Sequence, residues 1–370
     1  MIRKKKQNKN LAKIAIGVSG GVDSSVAAAL LVEQGYKVIG VFMKFWAESV
    51  KGHIRENICC SLESAEDARK VCQKLGIPFY VIDMKVPFKE KIVDDFIEKY
   101  KDCKTPNPCV RCNKYIKFEE LWKKLKPMGV DFVATGHYAR VETFHATSLQ
   151  PRMKLYAGRD KNKDQSYFLH QVKQAQLKHT LFPLGDMKKP EVRKLAKKYG
   201  LSTASKKESQ EICFVPTGKI EDFLSRYIEL KTGPIVEVGT DKNNSVGKHK
   251  GLPLYTIGQR KGIGLPGGPW FVVRLDQKNN ILWVSTNEED FQSKEVIVKN
   301  VNWIAGKEPK LPLKCKCKIR YRTEAESCVI TKEKDNQYKL VFKKYQRAVT
   351  AGQFAVFYKR NECLGGGEIL

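Results

Sequence analysis

The run Ser19-Gly20-Gly21-Val22-Asp23-Ser24-Ser25 constrains this chain more than any other stretch, because it reads as a phosphate-gripping turn. Before it, Lys13-Ile14-Ala15-Ile16-Gly17-Val18 has the makings of a short buried strand. After it, Val26-Ala27-Ala28-Ala29-Leu30-Leu31 starts a helix that Gly35 can end. Consecutive glycines let the backbone come close to a ligand, and the helix N-terminus adds unpaired N–H groups and a positive dipole end. The serine hydroxyls supply further donors, and Asp23 is placed to hold a magnesium ion beside the phosphates. No lysine follows the glycines, so this is not a Walker-type loop. The third glycine of the dinucleotide fingerprint is also missing. The plain alternative is a glycine-rich turn with no ligand.

At 370 residues the chain is long enough for two or three domains with real cores. Its 68 basic residues against 40 acidic ones give a formal charge of +28. That excess favours a polyanionic partner, nucleic acid first and an anionic membrane second. No apolar run approaches bilayer length, so no membrane association is expected. Met1 to Asn10 reads as a basic polar tail, and no signal peptide is expected there. Eleven irregularly spaced cysteines fit a reducing cytoplasm better than a secreted disulfide framework.

The first half alternates strand and helix, with strands expected at Tyr36–Met43, Phe79–Ile82 and Asp131–Thr135. Helices are expected at Ser64–Leu75, where Ser64 and Asp67 have capping-box spacing, at Phe88–Tyr100 and at Tyr115–Leu125. That order implies an α/β parallel sheet with ligand sites at the strands' carboxyl ends. From about residue 215 glycine and proline become dense. Beyond residue 280 short strand-like runs suggest a small antiparallel barrel. The expected division is a catalytic domain over 1–211, a central domain over 212–280 and a C-terminal β-barrel over 281–370.

Within the last part, period-two alternation over 314–322 puts Lys314, Lys316, Lys318, Arg320 and Arg322 on one strand face, opposite Cys315, Cys317, Ile319 and Tyr321. Such a face is either simply solvated or tracks a nucleic-acid backbone.

The cysteines offer several readings. Thr105-Pro106-Asn107-Pro108-Cys109-Val110-Arg111-Cys112-Asn113 reads as a rigid loop just before a helix, which places Cys112 near a helix N-terminus and beside Arg111. Both influences would raise its thiolate fraction. Cys213 lies at the seam between the α/β half and the later domain. A structural zinc site, with Cys103 or Cys213 added to the Cys109/Cys112 pair, is one reading. Inert buried thiols are another, and sulfur chemistry coupled to ATP is a third.

The motif SGGVDSS is similar to the pyrophosphatase-type loop of ATP-dependent adenylating enzymes, a group that includes GMP synthetase, argininosuccinate synthetase and tRNA-thiolating enzymes. Within that group the chain resembles the bacterial tRNA-specific 2-thiouridylases across nearly its whole length. The matching segments, in order, are GVSGGVDSS, VFMKFW, TPNPCVRCNKYIKF, ATGHYAR, NKDQSYFL, SQEICF, TIGQRKGIG, CKIRYR, AGQFAVFY and CLGGGEI.

The resemblance implies an adenine-nucleotide α-hydrolase-like domain, a small central domain and a C-terminal β-barrel. It also implies thiolation of the wobble uridine in the lysine, glutamate and glutamine tRNAs. By position, Gly17, Val18, Ser19, Gly20, Gly21, Val22, Asp23, Ser24, Met43 and Gly136 would bind ATP. Asn107, Pro108 and Cys109 would face the target base, and His137, Lys163, Asp164, Gln165, Arg320, Tyr321 and Gln353 would contact tRNA. Cys213 would carry a persulfide received from a cysteine desulfurase or a sulfur-relay protein, and Cys112 would be the second catalytic thiol, able to form a disulfide with Cys213. For the tRNA contacts ordinary structure is the alternative, with His137 a sheet-end histidine and Lys163-Asp164-Gln165 a polar turn.

One position departs from the family pattern. Familiar members have aspartate where this chain has Cys109, which removes a carboxylate from any acid–base role there. It also creates a Cys109, Cys112 and Cys213 set like that of related thiolating enzymes that hold a four-iron iron–sulfur cluster. Persulfide transfer is the first expectation and the cluster the second. An amidating synthetase with the same loop would need neither Cys112 nor Cys213, and a non-catalytic RNA binder would need no intact turn. A monomer engaging one tRNA in the cytoplasm is the simplest expectation.

Overall fold

A computed structural model of the chain describes residues 12–50, 53–55, 61–144, 152–206, 212–215, 220–241 and 244–370. Ile14 and Ile16 are fully buried, and their strand Lys13–Gly17 lies at the centre of a five-stranded sheet. Lys37–Lys44 and then Phe79–Asp83 flank it on one side, Phe132–Ala134 and then Thr180–Leu181 on the other, all in parallel. The strand order therefore reverses beside Lys13–Gly17, and a crevice opens there at the carboxyl ends. The glycine turn and Gly136-His137 both emerge into it.

Three helices differ from the sequence reading. Ser61, not Ser64, caps Leu62–Lys74, its side chain accepting from the Ser64 amide. The expected helix Phe88–Tyr100 is built from Lys85–Phe88, a π-type segment Lys89–Val93 and Asp94–Lys101. The helix expected from Tyr115 starts at Pro108, with Asn107 as its N-cap. It then widens into a π-type segment, Cys112–Glu120. Asparagine before proline is itself an N-terminal signal, since asparagine caps and proline suits the first turn.

The central segment forms a four-stranded sheet in the order Ser245–His249, Gly233–Glu237, Ile281–Ser285 and Phe271–Asp276. Ile281–Ser285 thus belongs to this sheet and not to the barrel that the sequence suggested from residue 281. Its Leu282 and Val284 pack with Ile235 and Val272 in a separate small core, which fixes the strand there.

The barrel is closed by antiparallel pairing of Gln292–Trp303 with both Tyr338–Arg347 and Glu362–Ile369. Its other strands are Leu313–Lys318, Glu326–Lys332 and Phe354–Lys359. A hairpin from the first half, Ala139–Phe144 with Arg152–Ala157, adds to its edge through Glu362 opposite Tyr156 and Cys363 opposite Leu155. The chain therefore has the expected order of parallel α/β sheet, central unit and antiparallel β-barrel. The α/β half and the barrel share a sheet, which local sequence patterns do not signal. No described helix is long and apolar enough to cross a membrane.

Candidate active site

The turn after Lys13–Gly17 is shaped by two close approaches. Gly20 has φ +67°, and a Cβ there would lie 2.4 Å from the Ser64 carbonyl oxygen. Gly21 caps the helix Val22–Glu33, with the Ser24 and Ser25 hydroxyls donating to its carbonyl at 3.1 and 2.9 Å. The Ser19 amide donates to Ser24 Oγ at 3.2 Å, which closes the turn. Gly136, from the neighbouring strand's end, packs against the first helical turn: a Cβ would sit 2.7 Å from the Ser24 nitrogen and 2.8 Å from the Asp23 carbonyl carbon. Met43 approaches from the next strand, its Cε 3.7 Å from where a Gly17 Cβ would be. Gly136→Ala must displace that backbone, costing about 1–3 kcal/mol. A calorimetric melt should show the loss, and nucleotide affinity should fall with it; unchanged values would deny the tight contact.

Asp23 does not stand open to a metal. Lys189 Nζ donates to its two carboxylate oxygens at 2.7 and 2.8 Å, and the Tyr138 hydroxyl donates to Oδ1 at 2.8 Å. Lys189 is buried and begins the helix Lys189–Lys198, a position that the helix dipole disfavours for a cation. Sequence reading missed this lysine. Its contact with Asp23 spans 166 positions, and no local pattern signals it. Among the described residues no group of three His, Cys, Asp or Glu side chains is placed to hold a metal. A magnesium ion would rest on the nucleotide phosphates and water, without Asp23 as a ligand while Lys189 holds both of its oxygens.

A cavity of about 2070 Å³ joins the turn to the barrel. Ser19, Gly20, Gly21, Val22, Asp23 and Ser24 line it together with Cys109, His137, Lys163, Asp164, Gln165, Arg320, Tyr321 and Gln353. From the basic run, Lys316, Lys318, Arg320 and Arg322 reach it and Lys314 does not. The strand itself ends at Lys318, so alternation stops there and the next residues turn. Basic side chains outnumber acidic ones in the lining. This is wider than a small-molecule pocket, which commonly holds about 300–1,000 Å³.

Several expected tRNA residues also have work inside the protein. Arg320 Nη2 donates to the Ile257 and Ala348 carbonyls at 3.1 and 2.9 Å and to Thr350 Oγ1 at 2.9 Å. Burial lowers its pKa, with Arg347 adding to the effect. Gln353 Nε2 donates to the Thr105 carbonyl at 2.8 Å and so holds the loop before the cysteine helix. Asp164 accepts from the Gly158 and Ser166 amides, the polar-turn arrangement. Gln165 Oε1 accepts from the Tyr138 amide at 3.0 Å. His137 is held well below the ordinary histidine range, by burial first and by Lys117 second, so the ring is neutral at physiological pH.

The cysteine helix separates its thiols. Cys109, in the first turn, is exposed and lines the cavity. Cys112, a turn deeper, is buried in the apolar cluster around Phe96 and Phe214, and Cys213 packs against the same cluster. Arg111 Nε lies 2.7 Å from Asp95 Oδ2, so its charge is shared with that carboxylate. Asn107 and Pro108 do not line the cavity: Asn107 Oδ1 accepts from the Val110 amide at 3.4 Å, and Pro108 is buried. The three-cysteine set for an iron–sulfur cluster is not assembled among the described residues, nor is the zinc alternative. None of the described cysteines is half of a disulfide.

Fold and site together define a nucleotide-binding α/β domain whose phosphate turn opens onto a basic cavity shared with a β-barrel. The family described as "tRNA methyl transferase HUP domain" matches residues 12–217, its PRC-barrel counterpart residues 221–286 and "Aminomethyltransferase beta-barrel domain" residues 293–369. A tRNA-specific 2-thiouridylase MnmA of Clostridioides difficile is 45% identical over 358 residues, 96% of this chain and 98% of its own length. Those of Clostridium perfringens and Bacillus cereus are 44% and 43% identical, each over 96% of this chain and over 98% and 94% of their own lengths. The chain belongs to the tRNA-specific 2-thiouridylase family.

Proposed function

We propose that this protein is an ATP-dependent tRNA-uridine 2-sulfurtransferase that converts the wobble uridine to 2-thiouridine, releasing AMP and pyrophosphate. The observation that carries this reading is the single cavity lined by the phosphate turn, by Cys109 and by the basic residues of the barrel. A small-metabolite synthetase would not need Lys316, Lys318 and Arg322 around its nucleotide. In this reading the α/β half is catalytic, and the boundary between central unit and barrel falls after Ser285, not at 280.

The uracil C2 carbonyl is a poor electrophile whose oxygen is a poor leaving group. Its O2 attacks the α-phosphorus of ATP and pyrophosphate leaves, so that AMP becomes the leaving group at C2. The turn's amides and the N-terminus of Val22–Glu33 face the phosphates and stabilise developing charge. A magnesium ion bound with the phosphates would neutralise charge on the departing pyrophosphate. The terminal sulfur of a Cys213 persulfide then attacks C2 and AMP departs. The Cys112 thiolate attacks Cys213 Sγ, breaking the S–S bond, so that sulfur stays on C2 and a Cys112–Cys213 disulfide awaits reduction. Neither thiol lines the cavity, so transfer requires the cysteine segments to come up to its wall. The sulfur is supplied by a cysteine desulfurase or relay protein in the cytoplasm, and the tRNAs are those for lysine, glutamate and glutamine.

The reading is tested by pyrophosphate release, which should require a tRNA bearing wobble uridine. Release that is indifferent to tRNA would sink it. The basic face has its own test. Lys316→Gln with Lys318→Gln should weaken tRNA binding and lower the slope of log K against log salt by about 1.4 to 1.8. An unchanged slope would make those lysines a merely solvated face.

A further inference from the structure

We propose that Asn113 reads the target base by accepting the uracil N3–H, an inference that rests on the thiouridylase reading above. Asn113 follows Cys112 on the cysteine helix, is 2% exposed, and lines the cavity with Cys109 and the phosphate turn. Its amide has one chemically allowed orientation. Nδ2 donates to the Phe168 carbonyl at 3.1 Å, and a carbonyl can only accept, so the nitrogen must point there and Oδ1 elsewhere. Oδ1 is buried and has no hydrogen-bond partner among the described residues. A buried acceptor left unpaired costs stability, and such exceptions in a native site call for a ligand or water to complete them.

The reacting base offers the matching group. Uracil C2 is flanked by N1, which carries the ribose, and by N3, whose N–H is the ring's only donor. Any group that recognises the ring beside C2 must therefore be an acceptor. Cytosine has a lone pair at N3, so the same oxygen would meet it acceptor to acceptor and reject it. The residue that holds the Asn113 amide also helps build the wall. Phe168 and Tyr321 both line the cavity with ring centroids 4.4 Å apart, an aromatic pair against which a base face can pack. Oδ1 is buried while its residue lines the cavity, so the base reaches it by displacing the side chains that cover it.

The experiment uses the full chain with saturating ATP and magnesium. Two transcripts of one tRNA carry either uridine or 3-methyluridine at the wobble position, and single-turnover pyrophosphate release is followed. The native protein should be roughly 10- to 100-fold slower on the methylated tRNA. Asn113→Ala should be slow on uridine by a similar factor and should treat both tRNAs alike within about twofold, with tRNA affinity held. If that variant melts early, Asn113→Ser completes the same comparison. Equal rates of the native protein on both tRNAs, or the same methylation penalty with and without the Asn113 amide, would overturn the assignment. No release by the native protein from the uridine tRNA would instead count against the thiouridylase reading itself.

Discussion

Cys112→Ser and Cys213→Ser should each reduce 2-thiouridine formation by at least about 1,000-fold, because each removes a group that forms or breaks a bond to sulfur. Pyrophosphate release in a single turnover should survive both changes, since base activation precedes sulfur transfer. Both thiols border the apolar cluster around Phe96 and Phe214, away from the basic lining of the cavity, so tRNA affinity should stay within about twofold. Cys72→Ser supplies the contrast. Burial pushes the Cys72 thiol up to about 11, and it packs under the parallel sheet, so its loss should cost stability and leave turnover intact. Native-like thiolation by either the Cys112 or the Cys213 variant, measured by nucleoside chromatography, would refute their roles.

The second large effect is expected at the Asp23–Lys189 pair. Asp23→Asn should lower pyrophosphate release by roughly 100-fold, because it removes the carboxylate that anchors the Lys189 ammonium and the Tyr138 hydroxyl beside the phosphate turn and so misplaces the groups around the nucleotide. Lys189→Met should lower it too, for a different reason. The Lys189 side chain is 10% exposed and its ammonium holds both Asp23 oxygens, so its loss leaves a carboxylate without its counter-charge beside the phosphate turn, where it repels the nucleotide. The lysine variant should therefore raise the ATP concentration needed for half-maximal release as well as lower the melting temperature. A fall in melting temperature with unchanged release kinetics would reduce Lys189 to a structural post.

What could be read from the sequence is what local chemistry decides. The phosphate turn was legible because a buried strand, consecutive glycines and a helix start succeed one another within a short span. The basic run was legible because alternation along Leu313–Lys318 is a local property. What escaped is set by contacts far apart in the chain. Lys189 meets Asp23 across 166 positions, and Gln353 reaches Thr105 across 248. No periodicity signals either contact. The same holds for the paired strands Ala139–Phe144 and Arg152–Ala157 joining the barrel, and for Ile281–Ser285 joining the central sheet. One miss was local. Asn107-Pro108 carries a helix-start signal, and reading it as a loop displaced Cys112 from the helix interior to a helix N-terminus.

The most direct measurement combines the protein with ATP, magnesium, a persulfide donor and an unmodified tRNA bearing wobble uridine, then digests the RNA and quantifies both nucleoside and nucleotide products. The expected result is 2-thiouridine at the wobble position, equimolar with AMP and pyrophosphate, and none when ATP is withheld. ATP cleavage with no sulfur entering the uridine, or thiolation that proceeds without ATP, would contradict it.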